Sequence, residues 1–361
     1  MKEDKFKITF LGLSITSSWG NGHATTFRSL IKGLHQEGHD IHFLERDVPW
    51  YANHRDFSEF PYCKIHLYED LEKLKENHLQ LVESSDVVIV GSYVPDGVAV
   101  GQWVQQSAAG IKAFYDIDTP VTLEKLYNED YEYLHPDLIP GYDIYLSFTG
   151  GKTLDRLQNN YGSPRAEALY CSVDTDLYYP EEQPAIWDLG YLGTYSPDRQ
   201  PTLDKLLISA ALKLTDQRFI IAGPQYPKDI QWPVNVERSE HLPPQKHKRF
   251  YNQQRFTLNV TREAMIEAGY APSVRLFEAA ACATPIISDY WEGLDSIFEF
   301  NKEILIARST EEAVSFLLEI DEQQRHTIGR QAREKILQSH SYRQRARQLL
   351  DFIHDLMNVS A

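Results

Sequence analysis

The sequence predicts an α/β protein of two doubly wound domains with a cleft between them. Three observations carry that expectation. Apolar runs alternate with helical periodicity in two successive series; an acidic, proline-bearing segment separates the series; and glycine loops follow several of the runs. A chain of 361 residues also exceeds one ordinary core and suits two domains of roughly 150–200 residues.

The first series opens with "KITFLGLSI" (7–15), a buried strand by its apolar run. Phe27, Leu30, Ile31 and Leu34 then recur at the spacing of one helix face. Gly38 ends that helix, and "IHFLE" (41–45) follows as a second strand. A strand–helix–strand unit of this kind calls for parallel strands. "DVVIVGS" (86–92), "IKAFYDID" (111–118) and "GYDIYLSFTGG" (141–151) extend the series, and "KTLDRLQNNYG" adds a helix. "EALYCSVDTDLYYPEEQP" (167–184) is acidic, carries prolines and has no helical face, so it reads as a linker.

The second series restarts at "WDLGYLGTYS" (187–196), a strand ending in a glycine loop. Leu203, Leu206, Leu207, Ala210, Ala211 and Leu214 mark a helix. "RFIIAGPQYP" (218–227) and "RFTLNVT" (255–261) are strands, and "SVRLFEAAACATPIISD" (273–289) reads as helix, turn and strand. Ala346, Leu349, Leu350, Ile353, Leu356 and Met357 give a long amphipathic C-terminal helix. The expected boundaries are 1–168, a linker over 169–186, 187–340, and the helix over 341–361.

A net charge of −16 disfavours nucleic acid and anionic membrane surfaces as principal partners. No apolar stretch approaches the roughly 18–20 residues of a membrane span. "MKEDKFKITFLGL" reads as the approach to a strand rather than a signal peptide. Cys63, Cys171 and Cys282 are scattered and form no CxxC pair, which suits a reducing cytoplasm.

The loop "SSWGNGHATTF" (17–27) admits three readings: a dinucleotide cradle, a cleft wall, or a tight turn into a helix. Gly20, Gly22 and Thr25 give G-x-G-x-x-T, which lacks the third small residue of a dinucleotide fingerprint. Glu45 does end the second strand about where that fingerprint wants an acid. His23, beside a helix start at the carboxyl end of a parallel sheet, can take a proton or bond a hydroxyl near neutral pH. In the second series, Gly193, Thr194 and Tyr195 offer backbone N–H groups to a phosphate, and Arg199 adds charge. A plain strand-to-helix turn is the competing reading. Ser273 is expected to cap a helix carrying Arg275 and Glu278 at i and i+3. Such a carboxylate can accept two ribose hydroxyls and such an arginine can grip a diphosphate; a surface ion pair is the alternative. "HQEGHDIH" (35–42) is broken by Gly38 and suggests no metal site, and "QKHKRFY" (245–251) reads as a solvated helix face, with a nucleobase contact as the alternative.

"SVRLFEAAACATPIISDYWEGL" resembles the C-terminal signature of group 1 glycosyltransferases, and within them the spore-maturation (CgeB-like) branch. "LGLSITSSWGNGHATTFRSL", "FYDIDTPVTL", "YCSVDTDLYYP", "LGYLGTYSPDRQP" and "TLNVTREAM" share the resemblance, which spans nearly the whole chain. It implies a GT-B fold of two Rossmann-like domains, with a nucleoside-diphosphate sugar held mainly by the C-terminal domain and the last helix crossing back to the N-terminal one. The expected activity is transfer of that sugar to a carbohydrate or other hydroxyl acceptor, with no cofactor beyond the donor itself; a helix N-terminus, backbone amides and arginines suit the charge of the leaving diphosphate without a metal. Glu278 matches the family's ribose-binding glutamate, and Arg275 and Arg262 are its candidate diphosphate partners. Tyr270 stands where the family's first glutamate falls, which leaves the donor sugar and stereochemical course open. The loop of Gly20, Asn21 and Gly22 would line the cleft. His23 and Asp118 would face the reacting groups, Asp118 bonding the acceptor hydroxyl or acting as its base; a cap or turn aspartate before Pro120 is the alternative. Asp116-x-Asp118 and Asp174-x-Asp176 are not expected to hold metal, since neither pair is placed to converge. A nucleotide-sugar epimerase, an oxidoreductase and a non-catalytic sugar-nucleotide-binding protein are the other functional readings.

Overall fold

The computed structural model describes residues 5–19 and 21–360. The chain divides into two compact units. One runs to Ser172 and takes in the stretch from Tyr342 onward; the other is Val173–Ser341.

In the first unit, β1 (Lys7–Gly12), β2 (Asp40–Arg46), β3 (Lys64–Tyr68), β4 (Val87–Gly91), β5 (Ile111–Asp116), β6 (Ile144–Ser147) and β7 (Ala166–Ala168) form one parallel sheet. Its order is β3-β2-β1-β4-β5-β6-β7. The central strands are apolar on both faces, as a sheet covered by helices on each side requires. Phe10 of β1 stands opposite Phe43 of β2, and Phe27 of the helix Gly22–Gln36 packs edge-on against both.

The second unit repeats the plan with β8 (Trp187–Leu192), β9 (Phe219–Ala222), β10 (Val236–Ser239), β11 (Gln254–Asn259), β12 (Ile286–Ser288) and β13 (Leu305–Ile306). These pair in parallel in the order β10-β9-β8-β11-β12-β13. Leu203, Leu206, Leu207, Ala210 and Ala211 are buried against this sheet as their spacing predicts. Their helix is not uniform, because a π turn over Asp204–Ile208 interrupts it. No helix among the described residues is long and apolar enough to cross a membrane.

The last helix, Tyr342–Ser360, lies against Gly22–Gln36. Gly33 makes the approach possible: a Cβ there would sit 2.6 Å from the Tyr342 carbonyl oxygen and 2.7 Å from the Ala346 Cβ. The contact is backed by Tyr342, whose hydroxyl bonds the Gln36 side chain (3.0 Å), and by Arg347, which pairs with Glu37 (2.9 Å). Gly33→Val should therefore push the two helices apart and destabilise the first unit by about 1–3 kcal/mol, the usual cost of overpacking. The check is the urea midpoint of the full chain; a midpoint equal to that of the parent would show that the helices do not need this close approach.

Candidate functional site

In each sheet the connections leave the central pair of strands in opposite directions, at β1/β4 and at β8/β11. Such a reversal opens a crevice at the carboxyl ends of the strands, where ligands of open α/β sheets bind.

In the second unit that crevice is organised by Arg275, on the helix Val274–Ala281. Its Nε donates to the Leu192 carbonyl at the end of β8 (2.5 Å), and its Nη1 to Asn259 Oδ1 at the end of β11 (2.8 Å). The guanidinium lies 4.9 Å from the Tyr191 ring centroid. Nη2 has no hydrogen-bond partner among the described residues. It sits so close to Gly193 that a Cβ there would come within 3.0 Å of it and within 2.5 Å of the Tyr191 hydroxyl. Ser273 occupies the position before the helix but does not cap it; its hydroxyl donates to Asn259 Oδ1 (2.9 Å) and so helps to orient the arginine's acceptor.

Two further arginines share this space. Arg199 is buried, donates from Nη2 to the Thr194 carbonyl (2.5 Å), and keeps a buried Nε without a partner. Burial chiefly lowers its pKa, and the positive charges of Arg275 and Arg262 add to the effect against the opposing influence of Tyr191. Guanidinium groups that feel one another's charge favour an anion near them. The glycine loop contributes less than its sequence suggests. The N–H of Gly193 donates to the Ala222 carbonyl (2.9 Å) and that of Tyr195 to the Pro224 carbonyl (3.0 Å), so both are committed to the segment at the end of β9. Among the described residues no backbone bond uses the Thr194 N–H.

Glu278, one helical turn beyond Arg275, faces another way. It is buried, accepts the Tyr251 hydroxyl at Oε2 (3.0 Å) and is also bonded by the Tyr178 hydroxyl. The surface-ion-pair reading therefore fails for Arg275 and Glu278. His247 Nδ1 lies 3.6 Å from Glu278 Oε2, while His247 Nε2 donates to the Leu242 carbonyl (3.1 Å). Both ring nitrogens thus face acceptors, the arrangement an imidazolium prefers. Burial alone would lower the His247 pKa, but the Glu278 carboxylate and the Leu242 carbonyl outweigh it and raise the pKa above its ordinary value. His247 lies within the basic run expected to be a solvated face. The helix His247–Asn252 instead buries Phe250 and Tyr251, and Lys248 pairs with Glu181 (2.7 Å). Tyr270 adopts a left-handed φ of 47° and donates its N–H to the Glu292 carbonyl (2.6 Å).

The crevice of the first unit is shaped by a carboxylate turned inward. Glu45, at the end of β2, is fully buried. It accepts bonds from the Ser14 hydroxyl (2.8 Å), the Ile15 N–H (2.7 Å), the Thr16 N–H (3.0 Å) and the Thr16 hydroxyl (2.6 Å). It is therefore the anchor of the loop after β1 and is not presented to a ribose, which removes the acid of the dinucleotide reading. The same bonds end β1 at Gly12, earlier than the apolar run implies, because the amides of Ile15 and Thr16 turn from the sheet to Glu45.

Gly20 lies outside the described residues. Asn21 precedes the helix Gly22–Gln36 and caps it by accepting the His23 N–H (3.1 Å), while its own amide donates to the carbonyls of Ser14 and Ser17. The His23 ring packs edge-on against Tyr93 at 5.3 Å, and its Nδ1 is buried without a partner. Burial lowers its pKa to about 4, so the expectation of titration near neutrality is corrected: His23 is neutral at physiological pH. Tyr93 follows β4 with φ 62°, a backbone strain of the kind found at ligand sites. Burial chiefly, with a contribution from the nearby Asp118 carboxylate, pushes the Tyr93 pKa up to about 12.

Asp118 stands at the N-cap position of the helix Thr119–Tyr127, where its carbonyl accepts the N–H groups of Val121 (3.0 Å) and Thr122 (3.1 Å), as the cap-or-turn reading expects, but its side chain makes no capping bond. Asp116 points into the core, where its carboxylate accepts the hydroxyls of Tyr145 (2.6 Å) and Thr122 (2.7 Å); burial raises its pKa to about 6. His23, Tyr93 and Asp118 are thus brought to the ends of β1, β4 and β5. Tyr93 and His247 escape sequence reasoning. An aromatic residue directly after the strand run that ends "VGS" was the available signal for the first; the second is recognisable only by its contact with Glu278.

Residues 199–351 match a protein family described as glycosyl transferase-like. No curated protein matches the chain. Among solved structures, sucrose-phosphate synthase (tll1590) from Thermosynechococcus elongatus is similar, with a TM-score of 0.68 at 15% identity, covering 98% of this chain and 100% of that one. Anabaena Alr3699/HepE in complex with UDP-glucose aligns with a TM-score of 0.67 at 12% identity over 97% of this chain and 100% of its own. An alpha-glucosyltransferase in complex with UDP-glucose and DNA containing an abasic site aligns at 0.71 and 11% identity, over 97% and 100%. These likenesses establish the fold as GT-B.

The raised His247 pKa has a sign that can be checked. Its stabilising contribution is fully present below the unfolded value near 6.5 and is lost as pH rises through the folded value. The stability difference between the parent protein and His247→Gln should therefore shrink between pH 6 and pH 9 in thermal unfolding. Parallel curves for the two proteins would show that His247 does not carry the charge.

Proposed function

We propose that this protein is a glycosyltransferase that moves a hexosyl group from a nucleoside-diphosphate sugar to a hydroxyl acceptor without a metal ion. The observation that carries the reading is the cluster of Arg275, Arg199 and Arg262 at the β8/β11 switch point, with Glu278 one turn away on the same helix. In the reaction the acceptor oxygen becomes bonded to the anomeric carbon, the anomeric C–O bond to the diphosphate breaks, and the leaving diphosphate takes that bond's electron pair. Fixed guanidinium groups and the Thr194 amide suit that developing charge without reorganising. Glu278 would take the ribose hydroxyls, with Tyr251 and Tyr178 holding its carboxylate in place. On the first unit, the neutral His23 would bond a sugar hydroxyl. Asp118 would accept or orient the proton of the attacking hydroxyl. The commitment of Glu45 to its own loop counts against an oxidoreductase. UDP is the nucleotide named in several of the similar structures and is the first donor to test.

Saturating UDP, at 100 times its dissociation constant, should stabilise the full chain by about 2.7 kcal/mol. Arg275→Ala should lose most of that shift, and NADH should give none. Turnover is read as UDP released from UDP-glucose. His23→Ala and Asp118→Asn should each lower it by about 10²–10⁴-fold, the usual weight of a positioned proton-transfer group, while keeping the UDP shift. A UDP shift without any release would favour the non-catalytic binding protein, and no shift with UDP, GDP, ADP or dTDP sugars would remove the donor site itself.

A further inference from the structure

The loop after β1 and the loop after β2 carry a feature that donor binding does not use. Trp19 and Trp50 are 46% and 62% exposed, and His54 lies between them. The His54 imidazole stacks on Trp19 with centroids 4.6 Å apart and planes 12° from parallel, and Trp50 is tilted against its ring at 6.1 Å. The two loops are fastened together. Asp56 accepts the Ser18 N–H (2.9 Å) and pairs with Arg28 (2.7 Å), which also donates to the Ile15 carbonyl (2.8 Å). The Asp56 N–H donates to the Thr16 carbonyl (2.8 Å), and the Ser17 hydroxyl donates to the His54 carbonyl (2.7 Å). His54 Nδ1 donates to the Trp50 carbonyl (2.8 Å), which fixes the plane of the imidazole. These bonds hold the two loops against each other, and the row faces water; exposed apolar groups gathered in one place, rather than scattered singly, are a feature of binding surfaces.

The charges beside the row select its ligand. Arg28 is paired with Asp56, and Arg55 with Asp47 (2.5 Å). A single-stranded nucleic acid stacks on aromatic rings only where cations also follow its phosphates, and here the neighbouring arginines are already committed to carboxylates. A pyranose ring needs no such charge. Its C–H face packs on an indole while its edge hydroxyls bond to water and to polar groups such as the second imidazole nitrogen.

We infer that Trp19, His54 and Trp50 form a stacking platform for a neutral saccharide, and that this saccharide is the acceptor. The acceptor role rests on the glycosyltransferase reading; the binding itself does not. The test is saturation-transfer NMR on the full chain, without nucleotide, using cellotetraose, maltotetraose, chitotetraose and mannotetraose, with a single-stranded oligothymidine alongside. At least one oligosaccharide should bind, at least tenfold more weakly to Trp50→Ala and to the Trp19→Ala/Trp50→Ala pair, and close to normally to Trp50→Phe. The UDP-induced thermal shift should be unchanged in every variant, which reports intact folding and separates this site from the donor site. Binding of none of the four sugars, equal binding by the alanine variants, or tryptophan-dependent binding of the oligothymidine would each overturn the platform. If UDP itself gives no shift while the sugars bind through the tryptophans, the acceptor role falls with the donor reading and the saccharide site stands.

Discussion

The second unit is organised around one guanidinium. Arg275 ties the carbonyl at the end of β8 to the side-chain oxygen at the end of β11. It joins two strands that neighbour each other in the sheet but lie far apart in the chain. Its position depends on Ser273 and Asn259 bonding one another, and on Gly193 having no side chain. A buried arginine is costly unless its donors are met. Here Nε and Nη1 are met by fixed oxygens, and Nη2 lies beside Gly193. Among the described residues no carboxylate is bonded to Arg275 or Arg199, while Glu278, on the same helix as Arg275, is satisfied separately by tyrosine hydroxyls.

The first unit uses charge in the opposite sense. Glu45 stands where related dinucleotide folds keep an acid for a ribose, yet it spends its carboxylate on Ser14, Ile15 and Thr16. Ser14–Thr16 are therefore anchored to the end of β2, a few residues ahead of Trp19 and His23. Burial keeps the His23 imidazole neutral, and the strained backbone of Tyr93 delivers an aromatic edge to it. A neutral ring with an unpartnered nitrogen is a hydrogen-bonding group for a hydroxyl rather than a reservoir of positive charge.

His247 and Glu278 show why some of the site was hidden. The run "QKHKRFY" carries the local marks of a solvated face, since charge dominates its composition. What decides its role is that Phe250 and Tyr251 turn inward and bring His247 beside a carboxylate 31 residues away, at 3.6 Å. Similarly, the glycine loop after β8 presents three amides by sequence, but the pairing of β8 with β9 claims two of them. Long-range strand pairing, invisible in a short window, took those donors.

The alternation of apolar runs and helical spacing was enough to read the two doubly wound sheets, the central strands and the helix holding Arg275 and Glu278. Those features follow from local periodicity and from the need to bury one face of each element. Short or edge elements such as β3, β10 and β13 were not legible, because strands so brief or so exposed carry little periodic signal. The partners of each polar group were equally hidden: which carboxylate anchors a loop, which amides remain for a ligand, and which histidine stays neutral. Those outcomes depend on burial and on contacts between residues distant in the chain, and a buried polar group takes whatever donor or acceptor the packed fold sets within its reach.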